Sequence, residues 1–405
     1  MKRAISLAMS VILPALLFVN LSAQVSFTNY TSADGFVDDY VIGGVCIDQS
    51  NTKWFGTQSG LSKFDGTIWT TYTTSDGLVD NYITCIASDN DYGWIWVGTN
   101  SGVSLYDGES FINYTTTDGL VDNSIINICV GDAGIAWVAT YSGLIKIDDG
   151  LITNYSTEDG LSSTLITYLH YENDILYIGT LNAGLMIYDG STFETVGMAE
   201  GLVDNYVSAI EVDDSGNIYV GSYAGLTVLD ASLNVTNTYG VDVELFNEYV
   251  QDIVVDQNGN LIVLEYADYL ADGGVTIFDG TSWVTYSTTD GLVDVMVKRA
   301  DMDNEGNIWI TTGAGVSMIS VESGISINYI NAKTNVYPNP ANGFIKISNI
   351  KGLYSYKITD LNGRVVLSSD YADEETVDIS SLSKSVYVLS YENDCKFYST
   401  KIVIE

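Results

Sequence analysis

The sequence predicts an all-β protein, a seven-bladed β-propeller followed by a small C-terminal β-sandwich. Seven triplets of a small residue, Gly and an aliphatic residue recur at steps of 42, 41, 41, 41, 49 and 41 residues. A period of about 40–45 residues is typical of one four-stranded propeller blade. Residues 24–336 contain no proline, which fits a chain made of hydrogen-bonded strands. The triplets are Ser59-Gly60-Leu61, Ser101-Gly102-Val103, Ser142-Gly143-Leu144, Ala183-Gly184-Leu185, Ala224-Gly225-Leu226, Gly273-Gly274-Val275 and Ala314-Gly315-Val316.

The N-terminus has the pattern of a signal peptide. Met1-Lys2-Arg3 precedes an apolar run over residues 4–19, and a small residue, Ala23, ends the segment. We therefore predict a signal peptide at 1–23, a propeller at 24–330 and a C-terminal domain at 331–405. No later segment approaches the roughly 18 apolar residues of a membrane span, so no integral membrane segment is expected after cleavage.

The second repeat shows the strands of one unit most clearly. Four short runs, at 82–87, 94–99, 103–106 and 110–114, are rich in β-branched and aromatic residues and are separated by Gly, Asp and Asn. We interpret them as antiparallel strands A to D. Asp-Gly pairs supply the positive φ of the C–D hairpins, and Asp-x-x-Gly-Asn repeats in several A–B hairpins.

Strand B carries a large residue at one equivalent position in every repeat. One such side chain cannot offset the entropy lost in ordering a blade, so these residues are expected to pack between blades. The run 25–30 resembles a D strand without its A, B and C, and we predict that it completes the seventh blade. Residues 325–330 are the competing candidate. The strand B residues are Trp54, Trp96, Trp137, Tyr177, Tyr219, Ile262 and Trp309.

Histidine and cysteine are too scarce for most metal and nucleophilic sites. His170 is the only histidine, which excludes most Ser-His-Asp, Cys-His and His-metal arrangements. The four cysteines show no paired short spacing, and we interpret them as buried apolar residues, with a disulfide left open. Three of them lie in successive A strands at apparently different offsets. The cysteines are Cys46, Cys85, Cys129 and Cys395.

Negative charge is concentrated in the repeats. Residues 24–330 contain five Lys or Arg against 43 Asp or Glu, whereas residues 331–405 contain eight against nine. Such a field disfavours nucleic acid and anionic membranes as partners. It attracts cations, and Asp89 to Gly93 offers oxygen ligands for Ca²⁺. Hairpin chemistry explains the same residues, so we expect no cofactor and leave Ca²⁺ open.

A ligand-binding face is predicted where the loops after strands B and D emerge together. The sixth repeat is 8 residues longer than the usual 41-residue step, and we place the addition in its B–C loop. An insertion in one repeat often marks a binding face, although a tolerated surface insertion explains it equally well. Aromatic and acidic side chains there would stack on sugar rings and accept their hydroxyls. The candidate residues are Tyr40, Tyr82, Tyr206, Glu265, Tyr266, Asp268 and Tyr269.

The repeat resembles a known family, the two-component-regulator propeller. Its Trp-x-Gly-Thr pattern is matched by Trp54-Phe55-Gly56-Thr57 and Trp96-Val97-Gly98-Thr99, and approximately by Tyr177-Ile178-Gly179-Thr180. The resemblance implies a propeller fold, and in that family such propellers often serve as periplasmic sensing parts of histidine kinases involved in glycan use. This sequence shows no kinase segment, so the sensor-kinase role is not carried over.

Three ordered motifs occur in the C-terminal 75 residues, at 336–341, 358–366 and 377–389. They resemble those of a type IX secretion sorting domain, type A, although Ser385 stands where Gly is usual. The resemblance implies a Gram-negative bacterium, interaction with the type IX secretion machinery, and removal of the domain after passage across the outer membrane. The motif residues are Tyr337, Pro338, Asn339, Pro340, Gly363, Arg364 and Tyr387.

Three functions are consistent with the sequence. The first is a non-enzymatic secreted or surface module that binds a polysaccharide, peptide or protein. The second is a secreted carbohydrate-active enzyme that uses acidic residues on one face, although no carboxylate pair stands out from the repeat background. The third is an acidic adhesin or spacer without a unique pocket.

Overall fold

The computed structural model describes residues 25–240, 245–266, 273–321, 336–347, 354–359, 365–372, 376–393 and 396–404. Residues 24–322 and 323–405 belong to two compact units. In the first unit, the described strands form seven four-stranded antiparallel sheets, which we call blades 1 to 7. Each blade has strands A (innermost) to D (outermost), and every A strand contacts the A strands of both neighbouring blades, so the blades form a closed ring.

The strand bounds follow from short β-branched and aromatic runs that end at Asp-, Asn- or Gly-containing turns. The first strand, β1 (Val25–Tyr30), is the D strand of blade 7. Blades 1 to 3 are β2 (Gly44–Ile47), β3 (Lys53–Gly56), β4 (Leu61–Phe64), β5 (Trp69–Tyr72); β6 (Ile83–Ser88), β7 (Ile95–Thr99), β8 (Gly102–Tyr106), β9 (Phe111–Tyr114); and β10 (Asn127–Val130), β11 (Ala136–Thr140), β12 (Gly143–Asp148), β13 (Leu151–Tyr155).

The remaining blades continue the same A-to-D order. They are β14 (Ile166–Glu172), β15 (Ile175–Thr180), β16 (Leu185–Tyr188), β17 (Phe193–Val196); β18 (Val207–Val212), β19 (Ile218–Ser222), β20 (Gly225–Leu229), β21 (Val235–Tyr239); β22 (Val250–Val255), β23 (Leu261–Glu265), β24 (Gly274–Phe278), β25 (Trp283–Tyr286); and β26 (Val297–Met302), β27 (Ile308–Thr312), β28 (Gly315–Val321) with β1. Short 3-10 helices lie at Ser32–Asp34, Asp132–Gly134 and Thr157–Asp159.

The two ends of the propeller meet in blade 7. Strand β1 pairs antiparallel with β28 over six residues, from Val25 opposite Val321 to Tyr30 opposite Val316. The Tyr30 ring stacks on Trp309 with centroids 5.3 Å apart. The predicted closure by Val25–Tyr30 is therefore present, while the competing segment 325–330 lies outside the described residues.

Large side chains on strand B join neighbouring blades, as predicted. Trp54 and Trp96 are each only 2% exposed. The Trp54 ring contacts Tyr72 of its own blade and Tyr106 of the next, with centroids 6.0 and 5.6 Å apart. Aromatic ring contacts contribute stabilising free energy beyond that of the apolar area they bury, so these contacts stabilise each blade against the next.

Cysteines 46, 85 and 129 are free thiols. Cys46 and Cys85 are buried, and burial raises the pKa of the Cys85 thiol to about 12. The prediction that the three cysteines lie at different positions in their A strands is wrong. Cys46 and Cys129 occupy the same position, opposite Trp54 and Trp137, and only Cys85 occupies a different one. These positions are set by the hydrogen-bonded pairing of strand A with strand B, which the linear sequence does not show. Cys395 lies outside the described residues.

The C-terminal unit has its own core. Its strands are β29 (Val336–Asn342), β30 (Phe344–Ile347), β31 (Tyr354–Thr359), β32 (Val365–Ala372), β33 (Thr376–Asp378), β34 (Ser385–Asn393) and β35 (Lys396–Ile404). Strand β29 joins the group β29–β30–β33 to the group β35–β34–β31–β32. Buried Ile345, Ile358, Tyr387 and Ile402 belong to one cluster.

Motif residues of the predicted sorting domain fall on two of these strands. Tyr337 is half exposed on β29, and the Asn339 side chain accepts a hydrogen bond from the Val403 backbone N–H at 2.9 Å. Tyr387 is buried on β34, and its hydroxyl donates to the Ser383 carbonyl at 2.9 Å. Gly363 and Arg364 lie outside the described residues. No helix in the described part of the chain has the length and apolarity needed to cross a membrane.

Candidate functional site

One face of the propeller carries the D-to-A segments and the B-to-C turns of all blades. In most blades the last residue of strand B is Thr or Ser, and its hydroxyl closes the B-to-C turn by donating to a Gly carbonyl; Thr99 donates to Gly102 at 2.8 Å. Gly102 has φ 137°, and a Cβ there would lie 2.4 Å from the Tyr114 carbonyl, so the turn requires glycine. The same arrangement recurs at Thr57, Thr140, Thr180, Ser222 and Thr312.

In blades 1 to 3, a serine hydroxyl ties the D-to-A segment to the B-to-C turn. Ser101 donates to Asp80 Oδ2 at 2.6 Å and Ser142 donates to Asp122 Oδ2 at 2.7 Å. Ser59 makes the same hydrogen bond to Asp38. These carboxylates are therefore committed to holding the loops of their own blade together.

Blades 4 to 7 lack this serine, and blades 5 and 7 keep the aspartate. Ala224 stands at its position in blade 5 and Ala314 in blade 7, so neither can donate to Asp204 or Asp294. Asp204 Oδ1 still accepts the Tyr206 N–H at 3.1 Å, as the equivalent Asp80 does for Tyr82. No serine hydroxyl therefore donates to the second oxygen of Asp204, whereas the equivalent aspartate oxygen in blades 1 to 3 accepts one.

Four tyrosines from blades 5 and 6 pack in series where the serines are absent. We call Tyr206, Tyr223, Tyr249 and Tyr266 the tyrosine ladder. Ring centroids are 4.1 Å apart for Tyr206 and Tyr223, 4.0 Å for Tyr223 and Tyr249, and 4.9 Å for Tyr249 and Tyr266. Lys298 of blade 7 ends the series, with Nζ 5.4 Å from the Tyr266 centroid.

The ladder is a partly exposed aromatic surface. Tyr223 is 49% exposed, whereas Tyr206, Tyr249 and Tyr266 are partly buried. Burial, together with the neighbouring phenols, raises the pKa of Tyr249, and burial also raises the pKa of Tyr206. These phenols stay protonated at physiological pH and keep their O–H donors.

Glu265 occupies the position that a hydroxyl residue holds in the other blades. It is the last residue of β23 and is 0% exposed. Its carboxylate accepts the Phe246 N–H at 2.9 Å and the Thr276 hydroxyl at 3.1 Å. Burial raises the pKa of Glu265 to about 7. The side chain thus joins the D-to-A segment of blade 6 to its sheet directly beside Tyr266.

Ionisable groups lie near the ladder in the centre of the ring, which is lined by the A strands and which we call the hub. The Arg299 guanidinium lies over the Tyr168 ring, 4.9 Å from its centroid, and donates to the Gln251 carbonyl at 2.7 Å. Tyr168 donates to Asp252 at 2.8 Å, and Arg299 lies 3.8 Å from the same carboxylate. Arg299 is therefore already engaged by groups of the hub.

Two further acids and His170 lie in the same hub. Burial raises the pKa of Glu211 to about 8 and that of Asp301 to about 7, and it lowers the pKa of His170 to about 4. His170 Nδ1 lies 3.6 Å from Glu211, but both groups are mostly uncharged at neutral pH, so this contact is not an ion pair. His170 is a strand residue packed in the hub.

The structure brings some of the predicted ligand residues together and separates others. Tyr206 and Tyr266 lie in the ladder. Tyr40 and Tyr82 occupy equivalent positions in blades 1 and 2, without a ring contact in the described structure. Glu265 was expected in a loop, but it ends a strand and is buried, because its carboxylate replaces the turn-closing hydroxyl. Asp268 and Tyr269 lie outside the described residues.

Sequence reasoning missed Tyr223, Tyr249 and Lys298. Their signal was the loss of the paired serine: Ala224 and Ala314 replace it, and Gly273 replaces it in blade 6, where Asn247 also replaces the aspartate. Asn247 instead donates to the Tyr266 carbonyl at 2.8 Å. Ala183 replaces the serine in blade 4 as well, where no ladder tyrosine lies, so this change in one repeat position is only a partial signal.

The candidate Ca²⁺ ligands at Asp89–Gly93 form a turn on the opposite face. Asp89 Oδ1 accepts the N–H groups of Asp91 and Tyr92 at 2.8 and 3.0 Å. Asp89 Oδ2 and Trp96 Nε1 are both buried without partners. In blades 1 and 7 the equivalent pair is hydrogen bonded, as between Trp54 and Asp48 at 2.9 Å. One extra turn residue in blade 2 separates them.

Protein-family models match segments in both parts of the chain. Residues 77–101 and 201–224 match the two component regulator propeller family, and residues 335–405 match the secretion system C-terminal sorting domain. Both resemblances predicted from the motifs are confirmed. The sorting domain implies secretion to the cell surface and interaction with the secretion machinery. No curated protein matches the chain in sequence.

Solved structures show the same propeller fold. The extracellular domain of the hybrid two component system BT3049 from B. thetaiotaomicron has 16% identity and a TM-score of 0.64, covering 93% of this chain and 57% of that one. PorZ, a surface component of the type-IX secretion system of Porphyromonas gingivalis, has 15% identity and a TM-score of 0.62, covering 91% of this chain and 60% of PorZ. This chain thus spans less than two thirds of either protein.

A smaller enzyme has a similar fold. Streptogramin B lyase has 12% identity and a TM-score of 0.60, covering 73% of this chain and 97% of the lyase. At these identities the similarities establish the fold and leave function to the residues of this chain.

Proposed function

We propose that this secreted propeller is a non-enzymatic module that binds an extracellular glycan on the tyrosine ladder. The observation that carries the proposal is the series of four tyrosine rings with centroids 4.0–4.9 Å apart on the loop-bearing face. Its exposed member, Tyr223, is 49% accessible. Exposed aromatic clusters of this kind on otherwise polar surfaces mark interaction sites.

A sugar ring suits this surface chemically. The exposed part of Tyr223 and the partly exposed neighbouring rings offer apolar surface against which the C–H face of a pyranose can pack, and phenol hydroxyls can donate to sugar oxygens. The oxygen of Asp204 that no serine engages accepts sugar hydroxyls at the same edge. A peptide or protein would use the same rings but needs a larger buried area, roughly 800 Å² per partner, than four clustered side chains supply alone.

The buried acid nearest the ladder favours binding over catalysis. The pKa of Glu265 is raised to about 7, a value suited to a general acid. Its two oxygens, however, are engaged by Phe246 and Thr276, and the side chain is 0% exposed. It holds the loop that carries the ladder.

A screen of the full chain against neutral and acidic extracellular oligosaccharides tests the proposal. We expect one structural class to be retained by the protein and recovered with unchanged mass. Release of shortened or unsaturated products would instead support the carbohydrate-active enzyme. Equal weak retention of every saccharide and of unrelated proteins would support the adhesin or spacer.

Export is tested separately. Deleting residues 331–405 should leave the protein in the periplasm, because the sorting domain directs passage across the outer membrane. Fractionation of the producing cells measures the result, and normal surface display of the truncated chain would contradict the assigned role.

A further inference from the structure

Cations are scarce in the propeller, and one of the two that lack an ion pair in the described part of the chain lies beside the tyrosine ladder. Residues 24–330 contain only Lys53, Lys63, Lys146, Lys298 and Arg299. Lys53 pairs with Asp303 at 3.3 Å, Lys146 with Asp148 at 2.8 Å, and Arg299 approaches Asp252 at 3.8 Å. Lys63 makes no ion pair in the described part of the chain, and its Nζ lies over buried Trp54, 4.9 Å from the ring centroid.

Lys298 makes no ion pair within the described part of the chain. Its ammonium lies at the end of the tyrosine ladder, over the Tyr266 ring. Burial and the adjacent Arg299 lower the pKa of Lys298, while Asp294 acts in the opposite direction. A partly desolvated ammonium without a paired carboxylate is costly, and an anion placed beside it offsets that cost.

We propose that Lys298 binds the anionic group of an acidic saccharide whose rings stack on the tyrosine ladder. This inference rests on the proposed glycan-binding function and specifies its ligand class. The carboxylate or sulfate of one sugar unit lies at Lys298, and the neighbouring rings extend along Tyr266, Tyr249 and Tyr223. Asp204, at the other end of the ladder, accepts hydroxyls and disfavours a second anion.

The net charge of the chain limits how many anions the ligand carries. The formal net charge is −37, so a dense polyanion is repelled over the whole surface. Screening reduces exposed charge interactions beyond about 8 Å at physiological salt, so one anion at Lys298 experiences mainly its nearest charges. A short saccharide with a single acidic end therefore fits better than nucleic acid or a fully sulfated polymer.

The test compares acidic probes with neutral versions of the same rings. The full chain is titrated by calorimetry with two trisaccharides that each carry one terminal uronate, with their methyl esters, and with a singly sulfated trisaccharide. We expect at least one acid to bind about tenfold or more tightly than its ester, and the sulfated probe separates carboxylate from sulfate recognition. Higher salt should weaken binding of the acid and leave binding of the ester unchanged.

Three variants assign the preference to Lys298. Lys298→Gln should remove the acid preference while leaving ester affinity unchanged, and Lys298→Arg should retain it. Lys63→Gln, which removes another cation packed on an aromatic ring, is the matched control and should change neither. Equal binding of acid and ester, or equal loss of both in Lys298→Gln, would overturn the inference. If the wild type binds none of these probes or the neutral panel, the proposed function itself fails.

Discussion

Blades 1 to 3 and blades 5 to 7 present the same loops on one face but use them differently. In the first group, Ser59, Ser101 and Ser142 each engage an aspartate, so the loops are closed by their own side chains. In the second, Ala224, Gly273 and Ala314 occupy the serine position. Blade 4 also has Ala183 at this position, with Ser163 in place of the aspartate, but it contributes no tyrosine to the ladder. Loss of the serine alone therefore does not create the proposed binding surface, which also requires the added tyrosines.

The largest expected difference concerns Glu265 and its counterpart Thr99. Glu265→Ala should lower the free energy of unfolding by about 3 kcal/mol at pH 5, because it leaves the Phe246 N–H unpaired and opens a cavity. Thr99→Ala, which removes only the hydroxyl bonded to Gly102, should cost about 1 kcal/mol. Urea unfolding followed by tryptophan fluorescence measures both. Equal losses would mean that blade 6 depends on its carboxylate no more than blade 2 on its hydroxyl.

The pH dependence of stability should reveal the ionisable carboxylate that distinguishes blade 6 from the other blades. The pKa of Glu265 is raised from 4.5 to about 7, so the folded state favours its protonated form. Stability from this group is fully present below about pH 4.5 and is lost as pH rises through 7, by about 3 kcal/mol in total. Unfolding curves of the wild type and Glu265→Gln, recorded from pH 4 to 8, should diverge by this amount. Parallel curves would contradict the role given to Glu265.

Removing one serine in the first group should have a smaller, purely structural effect. Ser101→Ala should reduce the free energy of unfolding by about 1 kcal/mol, because Asp80 loses its hydrogen bond. Saccharide affinity should not change, since blade 2 lies outside the ladder. Thermal unfolding and calorimetry on one preparation test both statements, and a loss of affinity without a loss of stability would contradict them.

Restoring the serine in blade 5 should have the smallest effect, and on binding alone. Ala224 is exposed, so Ala224→Ser is expected to fold normally and to engage Asp204 as Ser101 engages Asp80. Competition for that carboxylate should weaken saccharide binding about threefold, or roughly 0.7 kcal/mol. Titration of Ala224→Ser beside Ser101→Ala measures it, and unchanged affinity would show that Asp204 does not contact the ligand.

The sequence predicted the strands because the period repeats in every blade, and Asp-Gly turns and large strand B residues recur in most of them. Tyr206 could be chosen as a ligand residue because it lies in a recognisable D-to-A segment, and Tyr266 because it lies where the sixth repeat is lengthened. Tyr223 and Tyr249 could not, since their proximity depends on how the loops of adjacent blades interleave in space. Glu265 was placed in a loop because the length of the sixth repeat shows that residues were added without showing where strand B ends.

A single matched pair tests the central claim most directly. Tyr223 and Tyr82 are both exposed, at 49% and 38%, on the same face, but only Tyr223 belongs to the ladder. For the saccharide that binds the wild type best, Tyr223→Ala should weaken calorimetric affinity by about thirtyfold, or roughly 2 kcal/mol, and Tyr82→Ala by less than about twofold. Equal effects of the two variants, at unchanged thermal stability, would contradict the assignment of binding to the ladder.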